Sequence, residues 1–169
     1  MIAETSGKLE TEKKEKNDLE YALQFHIEKR SLLIREIRRN IEKFIYEGDT
    51  AKDYEGGKFI AQKSENMQAD VPTGNCIFTR RTGPHAEVII GEWDQGKLKG
   101  NGIKLQKNNV AFCGSWANGD YKGNCVYFWH DESVQEGNMS KNVFNEKSEK
   151  VWSHGQRESG TFENDIFVK

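Results

Sequence analysis

Apolar and polar positions follow two different rhythms along this chain. Up to about residue 45 the rhythm is helical. Leu23, Ile27, Ile34, Ile37, Ile41 and Phe44 recur at 4-7-3-4-3 spacing, which fits a seam of a and d positions with Arg30 intruding. Leu19, Leu33 and Ile45 broaden the stripe, no glycine falls between Gly7 and Gly48, and no proline precedes Pro72. The pattern predicts an amphipathic helical arm over 13–45, its helix running from about Lys13 to Phe44, roughly 45 Å at 1.5 Å per residue. Residues 1–12 carry no apolar pattern and are expected to fray.

Farther along, the rhythm becomes alternation. Ile89, Gly91 and Trp93 alternate with Ile90 and Glu92, so they share one face of a strand. Phe112, Gly114 and Trp116 repeat that face one unit later. Gly91, Gly114, Gly137 and Gly160 lie 23 residues apart, and two places after each stands a large apolar residue: Trp93, Trp116, Met139 and Phe162. Five places after each glycine come Gly96, Gly119, Asn142 and Asp165; nine places after, Gly100, Gly123 and Glu146. A period held at independent positions marks a repeat array. Gly, Asn and Asp tolerate positive φ, so the position five places on predicts a short hairpin turn closing on a left-handed residue. Second turns follow at Lys107-Asn108-Asn109, His130-Asp131-Glu132 and Ser153-His154-Gly155. Each unit is then one β-hairpin, and successive hairpins extend one sheet. The fold class expected is mostly β with an N-terminal α-helix: an elongated single-layer antiparallel sheet of consecutive hairpin repeats. Glycines between large residues on one face leave slots for rings from a neighbouring hairpin, slots that a single layer is not expected to fill by itself.

The stretch Gly91-Glu92-Trp93-Asp94-Gln95-Gly96-Lys97-Leu98-Lys99-Gly100-Asn101-Gly102 resembles the MORN repeat (membrane occupation and recognition nexus). Phe112 to Cys125 matches it too, with Phe112 in the tyrosine place, whereas the copy from Gln135 has lost the tyrosine, the tryptophan and the paired glycines. Gly74-Asn75-Cys76-Ile77-Phe78 mirrors Gly123-Asn124-Cys125-Val126-Tyr127 and ends an earlier copy. The array therefore covers 74–169, with Arg80 to His85 as a longer loop. Residues 46–73 read as degenerate repeats or a connecting segment, Tyr46-Glu47-Gly48-Asp49 and Tyr54-Glu55-Gly56 looking like weakened starts. The resemblance implies a scaffold that holds a helix or peptide along an aromatic groove.

Composition narrows the function classes. The chain has 169 residues, 35% hydrophobic and 31% charged, with a net charge of −2. That balance argues against a general nucleic-acid binder. No stretch approaches 18 apolar residues, so no span of a bilayer is expected. The N-terminus lacks an apolar signal core, which makes a secretory or transit peptide an unfavoured reading. Cys76 and Cys125 hold the same repeat position two units apart, nearly 20 Å at about 4.8 Å per strand, too far for a disulfide. They read as small buried strand residues of a reducing compartment. His26, His85, His130 and His154 are scattered without zinc spacing. Gly100-Asn101-Gly102 begins a phosphate-loop pattern that Leu105 ends. No catalytic constellation, metal site or cofactor is expected.

The function expected is a non-enzymatic scaffold or protein–protein interaction subunit of a larger cytoplasmic or cytoskeletal assembly, a ciliary one being one setting. The partner-binding candidates are Phe112, Trp93, Trp116, Met139 and Phe162 on the sheet and Ile27, Ile34, Ile37 and Ile41 on the arm. The arm's stripe packs on its own sheet, on a second copy, or on a partner helix, and these three stay open. The alternatives are a peripheral membrane adaptor, its anionic lipid met by Lys29, Arg30, Arg35, Arg38, Arg39 and Lys43, and a structural subunit of an enzyme complex. Glu28, Glu36 and Glu42 interleave with those basic residues and favour a solvated face over the lipid reading.

Overall fold

A computed structural model of the chain describes residues 2–42 and 51–169. Helix α1 (Ile2–Ile41) precedes eleven strands: β1 (Lys52–Tyr54), β2 (Gly57–Ala61), β3 (Gly74–Arg80), β4 (Glu87–Asp94), β5 (Lys97–Gln106), β6 (Ala111–Ala117), β7 (Asp120–Phe128), β8 (Val134–Ser140), β9 (Val143–Val151), β10 (Arg157–Glu163) and β11 (Ile166–Phe167). The strands lie in sequence order in one open antiparallel sheet, so every neighbour in the chain is a neighbour in space. This is the mostly β, hairpin-by-hairpin sheet that the alternation predicts.

Two backbone devices recur with the repeat. The first is the two-residue turn. Gly96 and Gly119 have φ of +86° and +85°, Asn142 and Asp165 of +71° and +68°, and the residues before them (Gln95, Asn118, Lys141 and Asn164) are also positive at +45° to +51°. Two successive left-handed residues make the turn type that matches strand twist. Glu55 and Gly56 share this geometry, at +41° and +75°. Tyr54-Glu55-Gly56 is therefore the tip of a hairpin, with Tyr54 paired to Gly57, and not the opening of a unit. Tyr46-Glu47-Gly48-Asp49, Lys43, Phe44 and Ile45 lie outside the described residues.

The second device is a bulge. Gly91 pairs with Gly102 but Glu92 pairs with Lys99, so β5 carries the two additional residues Gly100 and Asn101. Gly123 and Asn124 do the same in β7, and Glu146 and Lys147 in β9. The first bulge residue is left-handed each time: Gly100 at +62°, Gly123 at +80° and Glu146 at +64°. Each stands opposite a large residue of the next hairpin: Gly100 opposite Trp116, Gly123 opposite Met139, Glu146 opposite Phe162. Gly74, at +76°, stands opposite Trp93 in the same way.

A lane of small residues crosses the sheet beside these bulges, one on each strand from β2 to β10: Ala61, Cys76, Gly91, Gly102, Gly114, Cys125, Gly137, Ser148 and Gly160. Rings and chains lie over it. A Cβ on Gly102 would stand 3.0 Å from Trp116 Cζ3 and 2.6 Å from the Ile90 carbonyl oxygen; one on Gly114 would stand 2.8 Å from Phe112 Cζ. Cys76 and Cys125 belong to this lane four strands apart, and all three cysteines are free thiols.

Helix α1 begins at Ile2, not near Lys13, so the frayed segment expected over 1–12 is helical from residue 2 onward. Residues 3–17 are exposed and nonetheless helical. Lys and Glu are good helix formers, and Lys8–Glu12 and Lys16–Glu20 stand at i,i+4 spacing, 4.0 and 3.7 Å apart. Once the docked part supplies a nucleus, adding such residues costs little. An apolar pattern is needed to bury a helix, and its absence is no sign that one frays.

The glycine roles separate experimentally. Gly119→Val should lower stability by about 1–2 kcal/mol, because no atom of the described residues lies within 4 Å of an added Cβ and the cost is that of the left-handed backbone. Gly119→Asn should cost much less, since Asn142 holds the same place one unit on. Denaturant melts of both variants check this, and equal losses would contradict the backbone origin. Gly102→Ala has an ordinary backbone but no room, and should lose about 1–3 kcal/mol to overpacking.

Candidate functional site

The two faces of the sheet have different chemistry, and the sequence candidates divide between them. One face is aromatic. Phe59, Phe78, Ile89, Trp93, Leu98, Phe112, Trp116, Met139, Phe144 and Phe162 form a continuous cluster, flanked by Tyr54, Met67, Tyr121, Tyr127 and Trp129. Ring succeeds ring along it. Phe112 stacks on Tyr121 at 4.0 Å between centroids and meets Trp116 edge-on at 4.6 Å; Tyr127 and Trp129 stand 4.5 Å apart. Phe112, Trp93, Trp116, Met139 and Phe162 are only 1%, 6%, 5%, 3% and 1% exposed. The expectation that a single layer could not fill its own slots is thus corrected. Repeated bulges sharpen local twist, and rings from adjacent hairpins lie over the small-residue lane. The five sheet candidates come together, as part of the molecule's own core. Trp93 Nε1 is buried there without a hydrogen-bond partner among the described residues.

The third hairpin solves the same problem with polar groups. Gln135, in the place of Phe112 one unit on, is completely buried. Its Oε1 accepts from Trp129 Nε1 at 3.1 Å, and its Nε2 donates to Ser148 Oγ at 2.9 Å, which in turn donates to the Glu136 carbonyl at 3.1 Å. Ser148 is the lane residue of β9. Losing the aromatic at one position and the small apolar residue at another therefore yields a closed network, with both ends of the amide satisfied.

The opposite face is aliphatic, and the helix docks on it. Ala111, Val126, Phe128, Val134 and Val151 pack with Ala22 and Phe25, joined by the half-buried Leu32, Leu33 and Leu105. His26, buried, places Nε2 2.9 Å from the Val151 carbonyl oxygen. Tyr21 Oη donates to Glu149 Oε1 at 2.6 Å, and Lys29 forms an ion pair with Glu136 while lying 5.0 Å over the Phe25 ring. Burial, then the bond to Glu149, raises the Tyr21 pKa above its ordinary value. These contacts begin on β9 and β8 and continue back to β5 and β4. Periodicity could not single out His26, but its position beside Phe25 and one turn from Ala22 is the signal for a buried face.

The docked face is not the stripe that the spacing picks out. Leu23, Ile27, Ile34 and Ile41 are 63%, 50%, 51% and 48% exposed, with Leu9 at 53% on the same side; Ile37 is half-buried, as is Leu33 at the stripe's edge, which joins the docked face. At 3.6 residues per turn these residues lie roughly 120° round the helix from Ala22, Phe25, Lys29 and Glu36. The reading in which this stripe packs on the chain's own sheet is corrected: sheet contacts use the neighbouring face, where small Ala22 permits close approach. Of the arm candidates, Ile27, Ile34 and Ile41 remain open to solvent.

Little else offers chemistry. Among the described residues no group of His, Cys, Asp and Glu is placed to hold a metal ion, and no helix is long and apolar enough to cross a membrane. Arg39 pairs with Glu36 at 3.1 Å. Burial pushes the thiols up, Cys76 to about 11 and Cys125 to about 12; for Cys113 burial, with Glu36 adding to it, gives about 11. No protein-family model matches the chain, and no curated protein matches it. The repeat resemblance stands on its residues alone.

Two outcomes follow. Trp116→Ala should destabilise the fold by about 3–5 kcal/mol, as loss of a core ring does; a loss below about 1 kcal/mol in a denaturant melt would contradict a core role. Cys76 and Cys125 should resist alkylation at pH 8 in the native chain and react on unfolding. A rise from 9.0 to about 11 leaves roughly a hundredfold less thiolate at Cys76, before burial blocks the reagent.

Proposed function

We propose that this chain is a non-enzymatic interaction scaffold of the MORN-repeat kind, working inside a larger cytoplasmic or cytoskeletal assembly, with a ciliary one as a natural setting. The supporting observation is the second apolar stripe of α1. A helix that only sealed the aliphatic face would need one apolar stripe, and this one has two. The sheet is a rigid platform whose rings are committed to its own core. The arm is its contact element: docked along one face, open along another, and continuing as exposed helix past the residues that dock. Leu9, Leu23, Ile27, Ile34 and Ile41 in water forgo roughly 1.5–3 kcal/mol each for full burial, and such stripes mark docking sites for a helix. The aromatic lane serves the partner indirectly, by holding the arm's platform in shape. The lipid reading gains no support, because the basic residues of the arm are interleaved with carboxylates and partly paired with them.

In-cell cross-linking tests the proposal. Lys13, Lys14 and Lys16 on the exposed part of the arm should cross-link to residues of another polypeptide, and Ile27→Asp with Ile34→Asp should abolish those links in a chain still folded by circular dichroism. Links confined to the chain's own sheet, or unchanged in the double variant, would overturn it.

A further inference from the structure

We infer that the exposed stripe of α1 docks against the same stripe of a second copy of this chain, the two helices running antiparallel about a twofold axis at Phe25. The inference rests on the arm being the contact element and adds what it contacts. Its basis is the pattern of charges inside the seam. Taking Ile27 as an a position, the a residues are Lys13, Glu20, Ile27, Ile34 and Ile41, and the d residues are Leu9, Lys16, Leu23, Arg30 and Ile37. Four of these ten are charged, and they decide the orientation.

A parallel pair sets each residue against itself. It would place Lys13, Lys16, Glu20 and Arg30 each opposite an identical charge, four repulsive layers. An antiparallel pair sets a against d. Centred on Phe25, it places Leu23 opposite Ile27 and Leu9 opposite Ile41 of the second copy, and Glu20 opposite Arg30. Lys16 and Lys13 fall opposite Ile34 and Ile37, where their stems cover apolar surface and their ammonium groups reach water. The flanking e positions agree in the same register: Glu10 meets Arg38, Asn17 meets Ser31, and Gln24 meets its own counterpart on the axis. Each charged pair occurs twice by symmetry. The residue that interrupts the seam, Arg30, and the one that precedes it in the series, Glu20, are thus each other's complement. In the single chain, among the described residues, Glu20 pairs with Lys16 in an exposed i,i+4 contact at 3.7 Å, which is easily exchanged. The stripe lies to one side of the docked face, and Glu10 to Asn17 are exposed on every side, so the second helix leaves the sheet contacts in place.

Sedimentation equilibrium of the purified full chain tests this. The native chain should dimerise. Glu20→Arg and Arg30→Glu, each alone, should weaken the dimer at least about tenfold, and the double swap should restore it to within about threefold. With the half-buried Cys113 replaced by Ser in both chains, Gln24→Cys should give a disulfide-linked dimer under mild oxidation that the otherwise native chain, whose Cys76 and Cys125 are buried, does not form. A native chain monomeric up to roughly 100 µM, a double swap no better than the singles, or a dimeric Gln24→Cys chain without the cross-link would each overturn the pairing. A monomer whose arm still cross-links to other proteins in cells would overturn self-pairing and leave the scaffold reading standing; loss of the cellular cross-links would count against the scaffold reading.

Discussion

The structure depends on one steric constraint: rings can lie across a single sheet only if the backbone beneath them carries almost nothing. The small-residue lane from Ala61 to Gly160 supplies that bare backbone on nine successive strands. Trp116 and Phe112 come down onto it because Gly102 and Gly114 have no side chain to hold them off. The left-handed bulges next to the lane add twist at each unit and bring the rings of adjacent hairpins together. A sheet that buries its own aromatics in this way needs no second layer on that face.

The other face has no such device. Its lanes are β-branched and aliphatic: Ile77 pairs with Ile90, Ile90 with Ile103, Ile103 with Cys113, and Cys113 with Val126. Bulky residues directly opposite one another project from the sheet, and another element must cover them. Helix α1 does so, and the composition of its docked face suits that role. Ala22 allows close approach and Phe25 brings apolar area, while His26, Tyr21 and Lys29 make polar contacts to Val151, Glu149 and Glu136. The arm is thus an integral half of the fold, and only its remaining surface is free to act elsewhere.

Much of this is legible in the residues, and the limits are instructive. The 23-residue period of Gly91, Gly114, Gly137 and Gly160 is enough for the hairpins, the turns at Gly96 and Gly119, and the sheet order. Alternation places Ile89, Trp93, Phe112 and Trp116 on one face correctly. It cannot say whether that face is open, because closure depends on twist accumulated from bulges that a periodic sequence does not display. The arm misleads for a different reason. Leu23, Ile27, Ile34 and Ile41 make the stronger apolar seam, yet the sheet takes the face with Ala22, Phe25 and His26. Docking rewards fit and specific polar partners, and a hydrophobic count alone misses both. The tip at Tyr54-Glu55-Gly56 defeats phasing because tyrosine and glycine recur in the repeat at positions of opposite role, strand and turn.

The arm also changes how the array must behave as a mechanical object. In a hairpin array each unit touches its neighbours, so stability is a nearest-neighbour sum and the sheet can flex from unit to unit. Here one helix crosses from Glu149 and Val151 on β9, past Glu136 on β8, to β5 and β4. It connects the hairpins β4-β5 and β8-β9, which otherwise meet only through the hairpin between them. Bending the sheet along its length would have to slide those strands under a rigid rod that is fixed by hydrogen bonds and an ion pair at one end and by aliphatic packing at the other. Bending between β4 and β9 is therefore opposed by the helix that spans them. A load on the free stripe of that rod would bear on every strand the rod crosses, a coupling that a bare hairpin array lacks.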